Sequence, residues 1–307
     1  GNSLISRYIG AEDRHSANNA AIHNLILSVI ISIIISIVFI FSMKSLLIMM
    51  GAESVIGYAT EYGFIIFAWT FALLMPPIVG GAFRAEGDIK RATIPIALAA
   101  IINMILDPIF IYTFNMGIAG AAWATALGPF ISLLLMFYWI FVKRDTYLSY
   151  NLKDFTNDFS MYKDILVVGI PASLEQLVLS ILTIFVNYML TIVSGPVAVA
   201  VYTAGWRIIN IGMLPAIGVG TAAISVAGVA FGAKKYENLR VTARYAVKVA
   251  LIASIIVCII LNVFANQIAF IFSYSENSAQ LAPVIAGFLQ IMCLFILYVP
   301  FGASAGN

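Results

Sequence analysis

The chain has 307 residues, of which 62% are hydrophobic and 10% charged, and its net charge is +2. Soluble domains carry roughly 25% charged residues, so this composition excludes a water-soluble globule, and the near-neutral charge gives no reason to invoke nucleic acid. Two cysteines, Cys258 and Cys293, both inside apolar runs, read as small packing residues and not as a disulfide framework or a metal site.

The chain opens on Gly1-Asn2-Ser3, with no initiator methionine or signal peptide, in what reads as the tail of an earlier apolar segment. After a charged turn, eight apolar runs follow, at about 24–43, 63–82, 92–114, 117–142, 165–193, 197–231, 245–272 and 281–305. A helix needs about 20 apolar residues to cross a bilayer. The runs show no sustained period-two alternation, so they predict helices and not barrel strands. The predicted fold class is an all-α polytopic membrane protein, with a polar cytosolic linker at 143–163.

Ionisable side chains inside such runs are costly and therefore functional candidates. In the third run, Asp107 lies in NMILDPIFIY about seven residues from the outer end, at a depth of roughly 10 Å. Asn103 is one helical turn earlier on the same face. Thr125 enters the fourth run from the same outer side and reaches a similar depth of roughly 12 Å. Pro108 removes a backbone donor and is predicted to bend the helix beside the carboxylate. Three oxygen-bearing side chains thus converge on one level, where hard oxygens suit sodium and a carboxylate can instead take a proton. The alternative is a structural ion pair between Asp107 and a basic residue on a helix outside this sequence. Glu175 in the fifth run and Arg207 in the sixth are the other buried charges, fitting either a substrate role or static pairing. His15 and His23 read as surface residues near a loop.

Fourteen of the sixteen lysines and arginines fall in alternate connections: Arg7 and Arg14; Arg84, Lys90 and Arg91; Lys143, Arg144, Lys153 and Lys163; and Lys234, Lys235, Arg240, Arg244 and Lys248. Lysine-rich and arginine-rich short loops stay cytosolic during insertion, which places these connections on the cytosolic side of the plasma membrane. Sliding the chain on itself by 222 positions lays Ser3–Ala11 over Ser225–Ala233, and Ile30, Ser32, Ile33, Ile34 and Ile37 over Ile252, Ser254, Ile255, Ile256 and Ile259. Two residues inserted later, Gly63-Phe64 meets Gly287-Phe288 and Pro76 meets Pro300. A parallel repeat of this kind marks two similar membrane lobes. It predicts an N-terminal lobe at 1–142 without its first two helices and a C-terminal lobe at 164–307 without its last two, eight of twelve helices in two pseudo-symmetric six-helix lobes.

Six segments in order resemble the multidrug and toxic compound extrusion (MATE) family: SLISRYIGAED, FRAEGD at 83–88, NMILDPIF at 103–110, GIAGAAWATALG at 117–128, VGIPASLEQ at 168–176 and VAGVAFGAKKYE at 226–237. The resemblance is to the DNA-damage-inducible protein F branch, whose coupling cluster has its Asn, Asp and Thr at the positions of Asn103, Asp107 and Thr125. It implies antiport of small amphipathic organic cations or drugs against sodium or protons by alternating access, with no cofactor and no obligate protein partner. Another branch uses a carboxylate on the helix corresponding to 281–305, which has none here. The rivals are a lipid-linked oligosaccharide or cell-wall precursor flippase of the same superfamily, disfavoured by the scarcity of basic residues in the spans, and an intramembrane enzyme, for which no motif is present.

Overall fold

The computed structural model describes residues 1–49, 56–150, 155–272, 281–298 and 300; Lys153 and the end of the eighth predicted run, 301–305, lie outside the described residues. All regular structure among these residues is helical. The helices are α1 (Asn2–Gly10), α2 (Arg14–Met49), α3 (Ile56–Ala68), α4 (Thr70–Ala85), α5 (Ile89–Pro108), α6 (Gly117–Phe137), α7 (Phe159–Gly195), α8 (Val197–Gly232), α9 (Tyr236–Val263), α10 (Ala265–Phe272) and α11 (Ala282–Ile296). Both α5 and α6 run on into π turns, Ile109–Thr113 and Tyr138–Lys143. Gly195 separates α7 from α8 with φ 74° and ψ −171°, a conformation open essentially to glycine alone.

Among the described residues six helices are long and apolar enough to cross a membrane: α2, α5, α6, α7, α8 and α9. The predicted single run at 63–82 is instead a pair, α3 and α4, meeting at 46° and together making up to a seventh crossing. The break falls at Trp69, whose φ of −101° and ψ of 17° leave the helical region. The last run contributes the 15-residue α11, so the described residues do not confirm the expected count of eight spans. Outward faces are apolar: Ile33, Ile34 and Phe41 are 51%, 54% and 83% exposed. Apolar surface in water costs about 25 cal/mol per Å², so such faces are stable only against lipid.

The chain divides into two compact units, Gly1–Val167 with Gly232–Lys234, and Val168–Phe231 with Lys235–Asn307. In the first, Ile5, Met75, Val79, Phe83, Leu133 and Met136 form the centre of the core. In the second, Ile208 and Ile209 of α8 pack with Leu261 of α9 and with Leu289, Cys293 and Ile296 of α11.

The 222-residue repeat is visible in local geometry. Helices α1 and α8 end at Gly10 and Gly232, and the following helices start at Arg14 and Tyr236. Between them Glu12 (φ 60°) and Lys234 (φ 58°) adopt the left-handed conformation. The next N–H reaches five residues back in each case, Asp13 to the Tyr8 carbonyl at 3.0 Å and Lys235 to the Ala230 carbonyl at 2.9 Å. These are Schellman closures, which satisfy the carbonyls orphaned at a helix end. A third copy closes α4, where Gly87 has φ 84° and the Asp88 N–H bonds to the Phe83 carbonyl at 2.9 Å.

The linker is docked on the first unit. Leu148 and Tyr150 are buried, and the Glu86 carboxylate accepts the N–H groups of Tyr147 and Leu148 at 3.0 and 3.2 Å. Burial pushes the Glu86 carboxyl up to about 7, against the opposing pull of those two N–H groups. Arg14 donates to the Tyr147 carbonyl, while Arg91 and Lys143 pair with Asp145 at 2.6 and 2.9 Å. Basic residues from three separate connections therefore meet at one end of this unit. His23, read from sequence as a surface residue, is fully buried between Phe155 and Tyr162, and its Nε2 accepts the Asp158 N–H at 3.1 Å. The linker is what covers it. That bond, with Nδ1 2.8 Å from the Asn19 carbonyl, assigns the neutral tautomer protonated at Nδ1.

Candidate functional site

The candidate coupling residues lie on α5 and α6, the most closely packed helix pair of the first unit. Small residues let the two backbones meet: a Cβ on Gly128 would stand 2.6 Å from the Ala99 carbonyl oxygen, and one on Gly120 would stand 2.8 Å from the Phe110 carbonyl carbon. Buried Ser132 adds a hydrogen bond across the pair, donating to the Pro95 carbonyl at 2.5 Å. This is the small-residue packing that membrane helices use in place of a hydrophobic drive.

Between the two glycine contacts the structure brings Asn103 and Thr125 together. The Asn103 amide donates to Thr125 Oγ1 at 3.5 Å, the outer limit of a hydrogen bond. Asp107 follows one turn along α5, on the face of Asn103. Its Oδ1 is buried and has no hydrogen-bond partner. No ion pair joins Asp107 to a basic side chain among the described residues.

A buried carboxylate oxygen without a donor is unfavourable by about 1–3 kcal/mol or more. A proton or a bound cation relieves that cost. Asn103, one turn away on α5, and Thr125, its partner on α6, offer oxygen and amide groups, a chemistry that suits a hard monovalent ion or a proton. Among the described residues no three His, Cys, Asp or Glu side chains gather in a way that would hold a transition metal.

Pro108 does not end or break the helical path. Ile109 keeps helical angles (φ −65°, ψ −49°), and the backbone widens into the π turn Ile109–Thr113, closed by the Phe114 N–H on the Ile109 carbonyl at 3.0 Å. Proline has no N–H to offer the Met104 carbonyl four residues back, and π turns within helices are frequent at functional sites.

Trp69, at the α3–α4 break, packs edge-on against Trp123 at 5.7 Å and Phe130 at 5.1 Å on α6, flanking Thr125 in sequence on both sides. This aromatic group was not anticipated, because neither Gly nor Pro marks the break at position 69. Glu175 and Arg207 are both exposed, and no ion pair joins them among the described residues.

Comparison with known proteins bears on the family and the fold. The MatE family model matches residues 1–109 and again 171–306. Among curated relatives, the multidrug export protein MepA of Staphylococcus haemolyticus is 25% identical over 93% of this chain and 63% of its own length. The probable multidrug resistance protein NorM of Thermotoga maritima is 24% identical over 95% of this chain and 63% of its own. The chain thus spans a little under two thirds of these relatives. A crystal structure of MATE in complex with MaL6 superposes with a TM-score of 0.95 at 38% identity, covering 99% of this chain and 68% of that one. A MOP superfamily transporter from Pyrococcus furiosus gives 0.94 at 39% identity, covering 99% of this chain and 67% of that one.

Proposed function

The chain belongs to the MatE family, a family of transporters and not of enzymes, and from that premise we propose that the whole protein is a secondary antiporter. It exports small amphipathic organic cations or drugs against an inward flow of sodium or protons, and Asp107, Asn103 and Thr125 form its coupling site. The observation that carries this reading is the buried, unpartnered Oδ1 of Asp107 beside the Asn103–Thr125 contact. Multidrug export by MepA and probable multidrug resistance by NorM support the drug side of the exchange.

The basic ends of α2, α5 and α6, gathered on the docked linker, face the cytosol of a plasma membrane. Asp107 then lies toward the outer side. A cation arriving from outside neutralises Asp107 and removes the cost of its buried charge. The α5 backbone at Pro108 and its π turn repacks against α6, which favours drug release outward. Drug and cation thereby compete through one conformational equilibrium, and the coupling is reciprocal.

Equilibrium binding tests this on the whole protein in lipid nanodiscs, with a fluorescent lipophilic cation as probe. The affinity of the parent protein falls as sodium or proton concentration rises, whereas Asp107→Asn binds the probe with an affinity indifferent to both. An unaltered ion response in the variant would remove Asp107 from the coupling role.

A further inference from the structure

The only two cysteines of the chain, 35 residues apart, meet in the core of the second unit. The Cys258 thiol of α9 points at the Cys293 sulfur of α11 with Sγ atoms 3.1 Å apart. The two differ in access: Cys293 is fully buried, while Cys258 is half-buried on the apolar surface. Asn262, one turn beyond Cys258, places its Nδ2 3.4 Å from the Cys293 sulfur, and the Cys293 thiol itself reaches the Gln290 carbonyl at 3.2 Å. Packing holds this arrangement in place, since Leu261, Leu289 and Ile296 around it are buried.

We propose that Cys258 and Cys293 form a redox-closable dithiol that reversibly ties α9 to α11. The oxidant is a small membrane-permeant peroxide. It meets the accessible thiol first, so the Cys258 sulfur attacks a peroxide oxygen; the O–O bond breaks, one oxygen stays as Cys258 sulfenic acid and the other leaves as water. The Cys293 sulfur, with the Asn262 amide donating to it as charge develops, then attacks the Cys258 sulfur. The S–S bond forms, the S–O bond breaks, and the hydroxyl leaves as water with the Cys293 proton. Two thiols and one hydrogen peroxide give one disulfide and two waters, and a dithiol reductant reverses the change. Neither thiol lies near Asp107 in sequence, so the proposal stands apart from the coupling reading.

The test is thiol counting on the whole purified protein in nanodiscs. After hydrogen peroxide, quenching and denaturation, the alkylatable thiols fall by two per chain, Cys258 and Cys293 being the two lost, with a mass loss of two hydrogens and a peptide joining the Cys258 and Cys293 segments; dithiothreitol restores both. In Cys293→Ser the resolving sulfur is gone, and a dimedone adduct accumulates on Cys258. In Cys258→Ser the buried Cys293 stays reduced. Cys258 and Cys293 both still alkylated in peroxide-treated parent protein, or cross-links only between separate chains, would overturn the proposal, and the parent measurement alone decides it if either variant fails to fold.

Discussion

Asp107 was legible in the sequence because a lone carboxylate in a long apolar run has few structural uses, and Asn103 followed from helical spacing. Thr125 came from counting depth down two antiparallel helices, and the 3.5 Å contact with Asn103 agrees with that count. The role of the contact is open to direct test. Thr125→Val keeps the shape of the side chain but removes the oxygen that Asn103 bonds, so the coupling cation is expected to bind about tenfold more weakly, the equivalent of roughly 1.4 kcal/mol. Ion titration of the nanodisc protein reads this directly; unchanged affinity would place Thr125 outside the site. His23 and Glu86 were illegible for one shared reason. What covers them are linker residues, Tyr147 and Leu148 for Glu86 and Phe155 and Asp158 for His23, more than 60 residues away in each case, and no local pattern reveals such a cover.

At the scale of elements, hydropathy located the spans but not their ends or breaks. Helix α2 begins at Arg14, ten residues before the apolar run, because its polar first turns still pack inside the first unit, with Ala17, Ala20 and Ala21 buried. The α5–α6 contact gives a sharp expectation. Gly128→Ala forces a Cβ to 2.6 Å from a backbone oxygen that cannot easily yield, at a cost of about 1–3 kcal/mol. Gly218→Ala on α8 meets nothing within 4 Å and gains up to about 1 kcal/mol of helix propensity. Thermal unfolding in detergent should therefore lower the Tm of the first variant and leave that of the second unchanged or raised. The linker clasp has its own pH signature. Glu86 titrates at about 7 in the folded protein against an ordinary 4.5, so the folded state holds the proton more tightly than the unfolded chain. Stability from this group is then full below pH 4.5, declines as pH rises to about 7, and is flat above. The total is at most about 3 kcal/mol. Glu86→Gln keeps an acceptor oxygen without the charge, so its Tm should exceed that of the parent at pH 8 and change less between pH 5 and 8; a parent Tm that does not vary over that interval would contradict the argument.

At the scale of the whole molecule, the repeat read at 222 positions reappears as two turns with the same left-handed residue and the same closing bond, Glu12 with Asp13 and Lys234 with Lys235. Sequence identity between the copies is low because lipid-facing positions accept any large apolar side chain, whereas a helix end must satisfy its carbonyls in one of a few ways. The basic connections predict orientation as well. With Cys258 and Cys293 replaced by serine, Ser149→Cys and Lys235→Cys should react with an impermeant maleimide only in inside-out vesicles, and Asn115→Cys only in intact cells; the reverse pattern would invert the topology. Export itself is decided in proteoliposomes carrying the whole protein, with a fluorescent lipophilic cation and an imposed sodium or proton gradient. The parent protein is expected to move the probe against its gradient, and Asp107→Asn to lose at least tenfold of that rate while still inserting and binding the probe. Gradient-driven export by Asp107→Asn at the parent rate would contradict the account.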